Sequence, residues 1–138
     1  MKRIAVIDGQ GGGIGSFIIK AIREQFGERI EIIALGTNST ATTAMLKARA
    51  NKGATGENAI IWNAGRVDII AGPMSIVLGN GMLGELTPKM AEAVSSSQAA
   101  KFLLPLNQEQ VEIIGATREP LPHLIDKLVA RIKEETDV

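Results

Sequence analysis

The chain has no cysteine and no tyrosine, and only one histidine and one tryptophan. Without cysteine there is no disulfide, no thiolate metal site and no cysteine nucleophile. Without tyrosine there is no phenolic acid, and one histidine cannot form a pair. Aromatic residues make up 3% of the sequence, which leaves no stacking platform. The core must therefore be built from Ile, Leu, Val, Ala and Met. Net charge is missing as well, because fifteen Lys and Arg balance fifteen Asp and Glu. A nucleic-acid surface needs a basic excess or stripe, so no nucleic-acid partner is expected. No apolar run approaches the ~20 residues of a membrane span. The start, Met1-Lys2-Arg3 and then Ile4 to Ile7, is cut off by Asp8 and is too short for a signal peptide. The expectation is a cytoplasmic protein with no membrane contact.

What is present is a chain of 138 residues, 45% of them apolar. That is one domain's worth and enough for a core without staples. Ile4 to Asp8 reads as a buried strand that runs into a glycine-rich turn. Ile14, Phe17, Ile18, Ala21, Ile22 and Phe26 then recur at helical spacing up to Gly27. Ile30 to Leu35 predicts a second strand, and Gly36-Thr37-Asn38-Ser39-Thr40 a turn rich in helix caps. A helix through Ala44, Met45 and Ala48 follows, ending near Asn51. Another runs from Thr55-Gly56-Glu57-Asn58 to Asn63-Ala64-Gly65. Val67 to Ala71 predicts a third strand closed by Gly72-Pro73. After a glycine-broken apolar stretch over 74–86, Thr87-Pro88 starts a helix. Lys101 to Leu106 and Val111 to Gly115 read as two strands of a short antiparallel hairpin, joined by Asn107-Gln108-Glu109-Gln110. Leu121, Leu124, Ile125, Leu128, Val129 and Ile132 mark a final helix.

Strand and helix alternate, which predicts an α/β fold with three layers. The sheet should be mostly parallel, with about five strands, Rossmann-like, and with the C-terminal hairpin at an antiparallel edge.

In such sheets ligands bind beyond the carboxyl ends of the strands. The first turn holds five glycines in seven residues, Gly9-Gln10-Gly11-Gly12-Gly13-Ile14-Gly15. A simple turn needs one or two, and each glycine costs entropy on ordering. Glycines there let the backbone approach an anion and aim free N–H groups at it. A small phosphorylated ligand is the partner this predicts. The spacing is not G-x-G-x-x-G but Gly9-x-x-x-Gly13-x-Gly15. Asp8, just before the turn, would repel a pyrophosphate unless it caps loop amides or holds a cation. An NAD site expects an acid at the end of the second strand. Here stand Gly36, Thr37, Asn38 and Ser39, of which Thr37, Asn38 and Ser39 could donate to a phosphate, as on an NADP or a smaller phosphorylated ligand. The structural alternative is that they cap the next helix. Gly72 and Pro73 lie on the same rim. Together Asp8, Gly9, Gln10, Gly11, Gly12, Gly13, Ile14, Gly15, Gly36, Thr37, Asn38, Ser39, Gly72 and Pro73 are the candidate ligand-binding residues. No metal site and no catalytic residue is assigned.

The turn resembles the cofactor turn of the short-chain dehydrogenase/reductase family, down to Gly13-Ile14-Gly15. That resemblance implies an NAD(P)-like nucleotide. Asn63-Ala64-Gly65 is similar to that family's Asn-Ala-Gly segment, but it falls 54 residues after Gly9 and reads as a helix end. Those enzymes also use a Tyr-x-x-x-Lys pair, which a chain without tyrosine cannot supply. Five longer blocks, IDGQGGGIG (7–15), ALGTNSTATTAMLKA (34–48), GATGENAI (53–60), VDIIAGP (67–73) and LGELTPKMAEAV (83–94), resemble a small prokaryotic family, domain of unknown function 3842. That likeness implies a compact Rossmann-like protein and no activity.

Three functions compete. The first is binding of a nucleotide or phosphorylated metabolite at 9–15. The second is a small enzyme that uses Asp8 and Glu85 as paired carboxylates, with or without a cation. The third is a ligand-free interaction subunit, a homo-oligomer built through the apolar 74–87 segment. In that segment Ser75, Asn80 and Glu85 are the polar members. His123, Trp62 and the Ser95-Ser96-Ser97 run read as surface histidine, core or interface residue, and helix end. Residues 131–137 read as a solvated tail.

Overall fold

A computed structural model describes residues 1–106 and 110–137. Five strands form one sheet: β1 (Arg3–Asp8), β2 (Glu31–Gly36), β3 (Lys52–Thr55), β4 (Ile69–Pro73) and β5 (Ala100–Leu104). Five α-helices alternate with them: α1 (Gly13–Phe26), α2 (Ser39–Lys47), α3 (Glu57–Ala64), α4 (Pro88–Ser95) and α5 (Leu121–Thr136). The strand order is β3-β2-β1-β4-β5, and every pairing is parallel.

Alternation along β1 builds the layers. Ile4 and Val6 point to one face, where they join Ile18, Ile19 and Ile22 of α1, Met45 of α2, and Leu124, Leu128 and Ile132 of α5. Ala5 and Ile7 point to the other, against Ile60 of α3 and Met90 and Val94 of α4. A central strand buried on both sides reads as a continuous apolar run, which is how Ile4 to Ile7 is written.

Local chemistry sets the ends of the helices. Asn38 caps α2 through its side-chain oxygen, which accepts from the Ala41 amide at 2.8 Å. Thr87 accepts from the Met90 amide at 3.2 Å and Pro88 opens α4. Gly27 ends α1 at φ 57°, a left-handed turn that suits glycine.

Two expectations are corrected. Among the described residues the C-terminal antiparallel hairpin is not seen, and the strands of the sheet are all parallel. Its first half is β5, which pairs parallel with β4 after the α4 crossover. In the second half only Val111 makes a bridge, and Ile113 and Ile114 lie exposed. The connector residues Asn107, Gln108 and Glu109 lie outside the described residues. The fifth strand is instead β3, a four-residue edge strand that fills the gap expected between a helix ending near Asn51 and the next starting at Thr55. The strand expected over Val67 to Ala71 falls at Ile69–Pro73, so Gly72 and Pro73 are its last residues. Among the described residues no helix is long and apolar enough to cross a membrane.

Candidate functional site

The order of the strands turns at β1. Its chain leaves through α1 toward β2, while β4 lies on its other side. The carboxyl ends of β1, β2 and β4 therefore bring residues 8–15, 36–39 and 72–73 to one rim, where the 74–87 segment also starts. This turning point is where open α/β sheets form a crevice.

Asp8 is 4% exposed, and both its oxygens are in use. Oδ1 accepts from the Gly9 amide at 2.8 Å and Oδ2 from the Gly15 amide at 2.7 Å, so one carboxylate staples the two ends of the turn. Burial pushes its carboxyl above the ordinary 3.8; the two amides pull the other way and the nearby Glu85 charge adds to the push. Between the staples the Gly12 amide donates to Gly9 O at 2.9 Å, and Gly12 takes φ 73° as the N-cap of α1.

The five glycines divide into two kinds. A Cβ on Gly9 would meet Met82 Sδ at 2.5 Å, on Gly12 the Ala41 backbone at 2.8 Å, and on Gly15 Met45 Sδ at 2.5 Å. Packing alone requires those three. A Cβ on Gly11 or Gly13 would meet nothing within 4 Å, and neither has a positive φ. Among the described residues the amides of Gly11, Gly13 and Ile14 donate to no protein acceptor. They sit at the positive end of a fourteen-residue helix with no acid in its first turn.

Glu85 closes the neighbouring space. Its Oε1 accepts from the Gln10 amide at 2.8 Å, Thr37 Oγ1 at 2.7 Å and Asn38 Nδ2 at 2.7 Å. The Gln10 amide, and then the Thr37 hydroxyl, hold its carboxyl below the ordinary 4.5. Asn38 Nδ2 also donates to Gln10 O at 3.0 Å, while its Oδ1 caps α2. An acid does stand at the end of β2, and it comes from the β4–α4 crossover.

The remaining candidates are then placed. Gly36 and Gly72 are buried, and a Cβ on either would strike Thr42 or the Ile7 carbonyl, so both are packing glycines. Pro73 is buried at the end of β4. Ser39 is exposed on the first turn of α2. Thr37 and Asn38, expected to meet a second phosphate, are committed to Glu85. Of the expected carboxylate pair, Asp8 is closed by two amides and Glu85 Oε1 is engaged by three donors. Among the described residues no group of three or more His, Asp or Glu is placed to hold a metal.

Most of the 74–87 segment serves the core: Ile76 and Leu86 are fully buried and Met82 is 8% exposed. Of its large apolar residues Leu83 alone is exposed, at 85%. Trp62 is half exposed under the Arg66 guanidinium, 3.9 Å from its centroid, and His123 lies exposed in the first turn of α5. Ser97 Oγ donates to Ala64 O and Ser95 Oγ to Glu92 O, which ties down the end of α4. The separate cavity between β5 and α5, about 460 Å³, is lined by Phe102, Leu124, Leu128, Lys127 and Arg131. Nothing in the sequence pointed to it, because the segment 115–117 that walls it carries no motif.

Among solved structures the chain is similar to a dodecameric FMN-dependent Ubix-like decarboxylase from Escherichia coli O157:H7, with 17% identity and a TM-score of 0.46 over 100% of this chain and 95% of that one. No curated protein matches it. A family model does match, over residues 3–137, and the chain belongs to that family, Domain of unknown function (DUF3842).

Proposed function

We propose that the protein binds a small phosphorylated ligand, a nucleotide or phosphorylated metabolite, with its phosphate on the amides of Gly11, Gly13 and Ile14. One observation carries the reading. Two glycines of the turn face open space with unpaired N–H groups, although nothing in the fold requires glycine at either place. A side chain there would screen the amides; its absence lets a phosphate oxygen reach them. Asp8 holds the turn open in this shape from beneath. In the free protein the donors that would hold the second phosphate of an NADP-type ligand hold Glu85, so the reading does not extend to that phosphate.

Calorimetric titration with pyrophosphate, AMP and NAD tests this. The wild type is expected to bind at one site per chain. Gly13→Val, whose new side chain meets no protein atom at Cβ, is expected to fold and lose binding. A folded Gly13→Val protein that binds as the wild type does would refute the reading.

A further inference from the structure

The carboxylate on the Gln10 amide is itself an anion, one residue from the first open amide of the turn. Its carrier is a small folded unit. Asn80 N donates to Leu86 O at 2.7 Å, Leu86 N to Gly81 O at 3.1 Å, Gly84 N to Asn80 O at 3.1 Å and Glu85 N to Met82 O at 3.1 Å. These main-chain bonds stay within 80–86. What ties the unit's tip to the rim is side chains: Glu85 Oε1 on donors from two other loops, and the Met82 sulfur against Gly9. Its backbone is also strained, with left-handed φ at Asn80 (69°), Met82 (58°) and Leu83 (56°), none of them glycine. Strain of this kind is kept only where surrounding contacts overrule it, and here they converge on Met82 and Glu85.

We infer that Met82–Glu85 is a latch that clasps the Gln10 end of the glycine turn in the free protein and gives way when a phosphate occupies the adjacent amides. The inference rests on the phosphate reading above. A doubly charged phosphate beside the Gln10 amide faces the Glu85 carboxylate across a short distance, and like charges raise each other's free energy. Occupancy of the turn therefore weakens the clasp. By reciprocity the clasp weakens occupancy by the same factor. Glu85 thus sets the affinity of the site and its preference among ligands of different charge.

Two variants separate the parts of this claim. Glu85→Gln keeps the acceptor oxygen and loses the charge. Glu85→Asp keeps the charge and withdraws it by one carbon from its three donors. With pyrophosphate as the probe, Glu85→Gln is expected to bind about tenfold more tightly than the wild type, within the usual range of such couplings. Hydrogen exchange should show protection of Gly11, Gly13 and Ile14 in the bound wild type, together with faster exchange over 80–86. Unliganded Glu85→Asp should already show that faster exchange. Equal affinity of wild type and Glu85→Gln, or unchanged exchange over 80–86 on binding, overturns the latch and leaves the phosphate site standing. Absence of binding by both proteins overturns the site and the latch together.

Discussion

At the scale of single residues, the glycine turn shows that one residue type serves two ends. Gly15 allows α1 to sit on Asp8 and Met45, whereas Gly13 leaves an amide uncovered. Alanine at each should act oppositely. Gly15→Ala must displace the Met45 sulfur and the Asp8 Cβ, and is expected to lose roughly 1–3 kcal/mol, the cost of overpacking a filled core. Gly13→Ala meets no neighbour and has no positive φ, so it is expected to gain about 0.4–1 kcal/mol by restricting the unfolded chain. The same change should weaken pyrophosphate binding. Urea melts of both variants read the stabilities, and a destabilised Gly13→Ala would show that the open space is not open. The sequence marks this turn clearly but cannot sort its glycines, since Met45, Ala41 and Met82 are brought to them only by the fold.

Glu85 illustrates the same limit. Its partners lie 75, 48 and 47 residues away, and no spacing rule connects them. It also gives a pH signature with a definite sign. Its carboxyl lies below 4.5 in the folded protein, so the clasp contributes stability above 4.5 and loses it as pH falls through the lower native value. Asp8, the charged group facing it, is shifted upward from 3.8, and its contribution runs the opposite way with pH. The difference in unfolding free energy between wild type and Glu85→Gln removes the Asp8 background except for the smaller part that the Glu85 charge itself imposes on Asp8. That difference should be constant near neutrality and close below pH 4.5; a gap that persists unchanged into acid would contradict the assigned hydrogen bonds.

At the scale of elements, the long strands and helices are legible because each carries its own period or cap. β1, β2, α1 and α5 have full apolar faces, and α4 has Thr87 and Pro88 at its start. β3 is not legible. Lys52, Gly53 and Thr55 are exposed edge residues, and Ala54 alone is partly buried, so no apolar alternation announces a strand. The false hairpin has the converse cause. Ile113 and Ile114 supply an apolar run, but they sit on the surface and pair with no strand. Elements are joined by a residue equally hidden from sequence reading. Arg23 is 5% exposed and donates to Arg49 O at 2.8 Å, Gly27 O at 2.9 Å, Ile30 O at 3.0 Å and Asn51 Oδ1 at 2.5 Å. Asn51 Oδ1 also takes the Ile32 amide at 2.7 Å. One guanidinium thus fastens the end of α1 to the start of β2 and the approach to β3. Arg23→Met keeps the volume and strands these carbonyls, and is expected to cost about 3 kcal/mol in chemical denaturation. A loss under about 1 kcal/mol would mean that water replaces the guanidinium without penalty.

At the scale of the whole molecule, the proposed site lies at the end of the strand on which everything else depends. β1 is paired on both edges and contributes side chains to both cores. Asp8 closes β1 and fixes the turn, while the Thr37 amide donates back to Asp8 O at 3.0 Å, so the turn and β2 end as one piece. A ligand on Gly11, Gly13 and Ile14 cannot be lost by fraying an edge, because that turn opens only with the centre of the sheet. Binding energy should therefore appear in the global unfolding transition. At one hundred times its dissociation constant, a ligand specific for the native state adds about 2.7 kcal/mol. For a chain of this length that moves the melting temperature by roughly 10 °C. Calorimetric melts with AMP or pyrophosphate should show one cooperative transition rising with concentration, and none of that rise in Gly13→Val. If the wild type instead takes up the anion with no shift in its transition, the anion is not bound specifically to the native state, and the site proposed at the end of β1 fails.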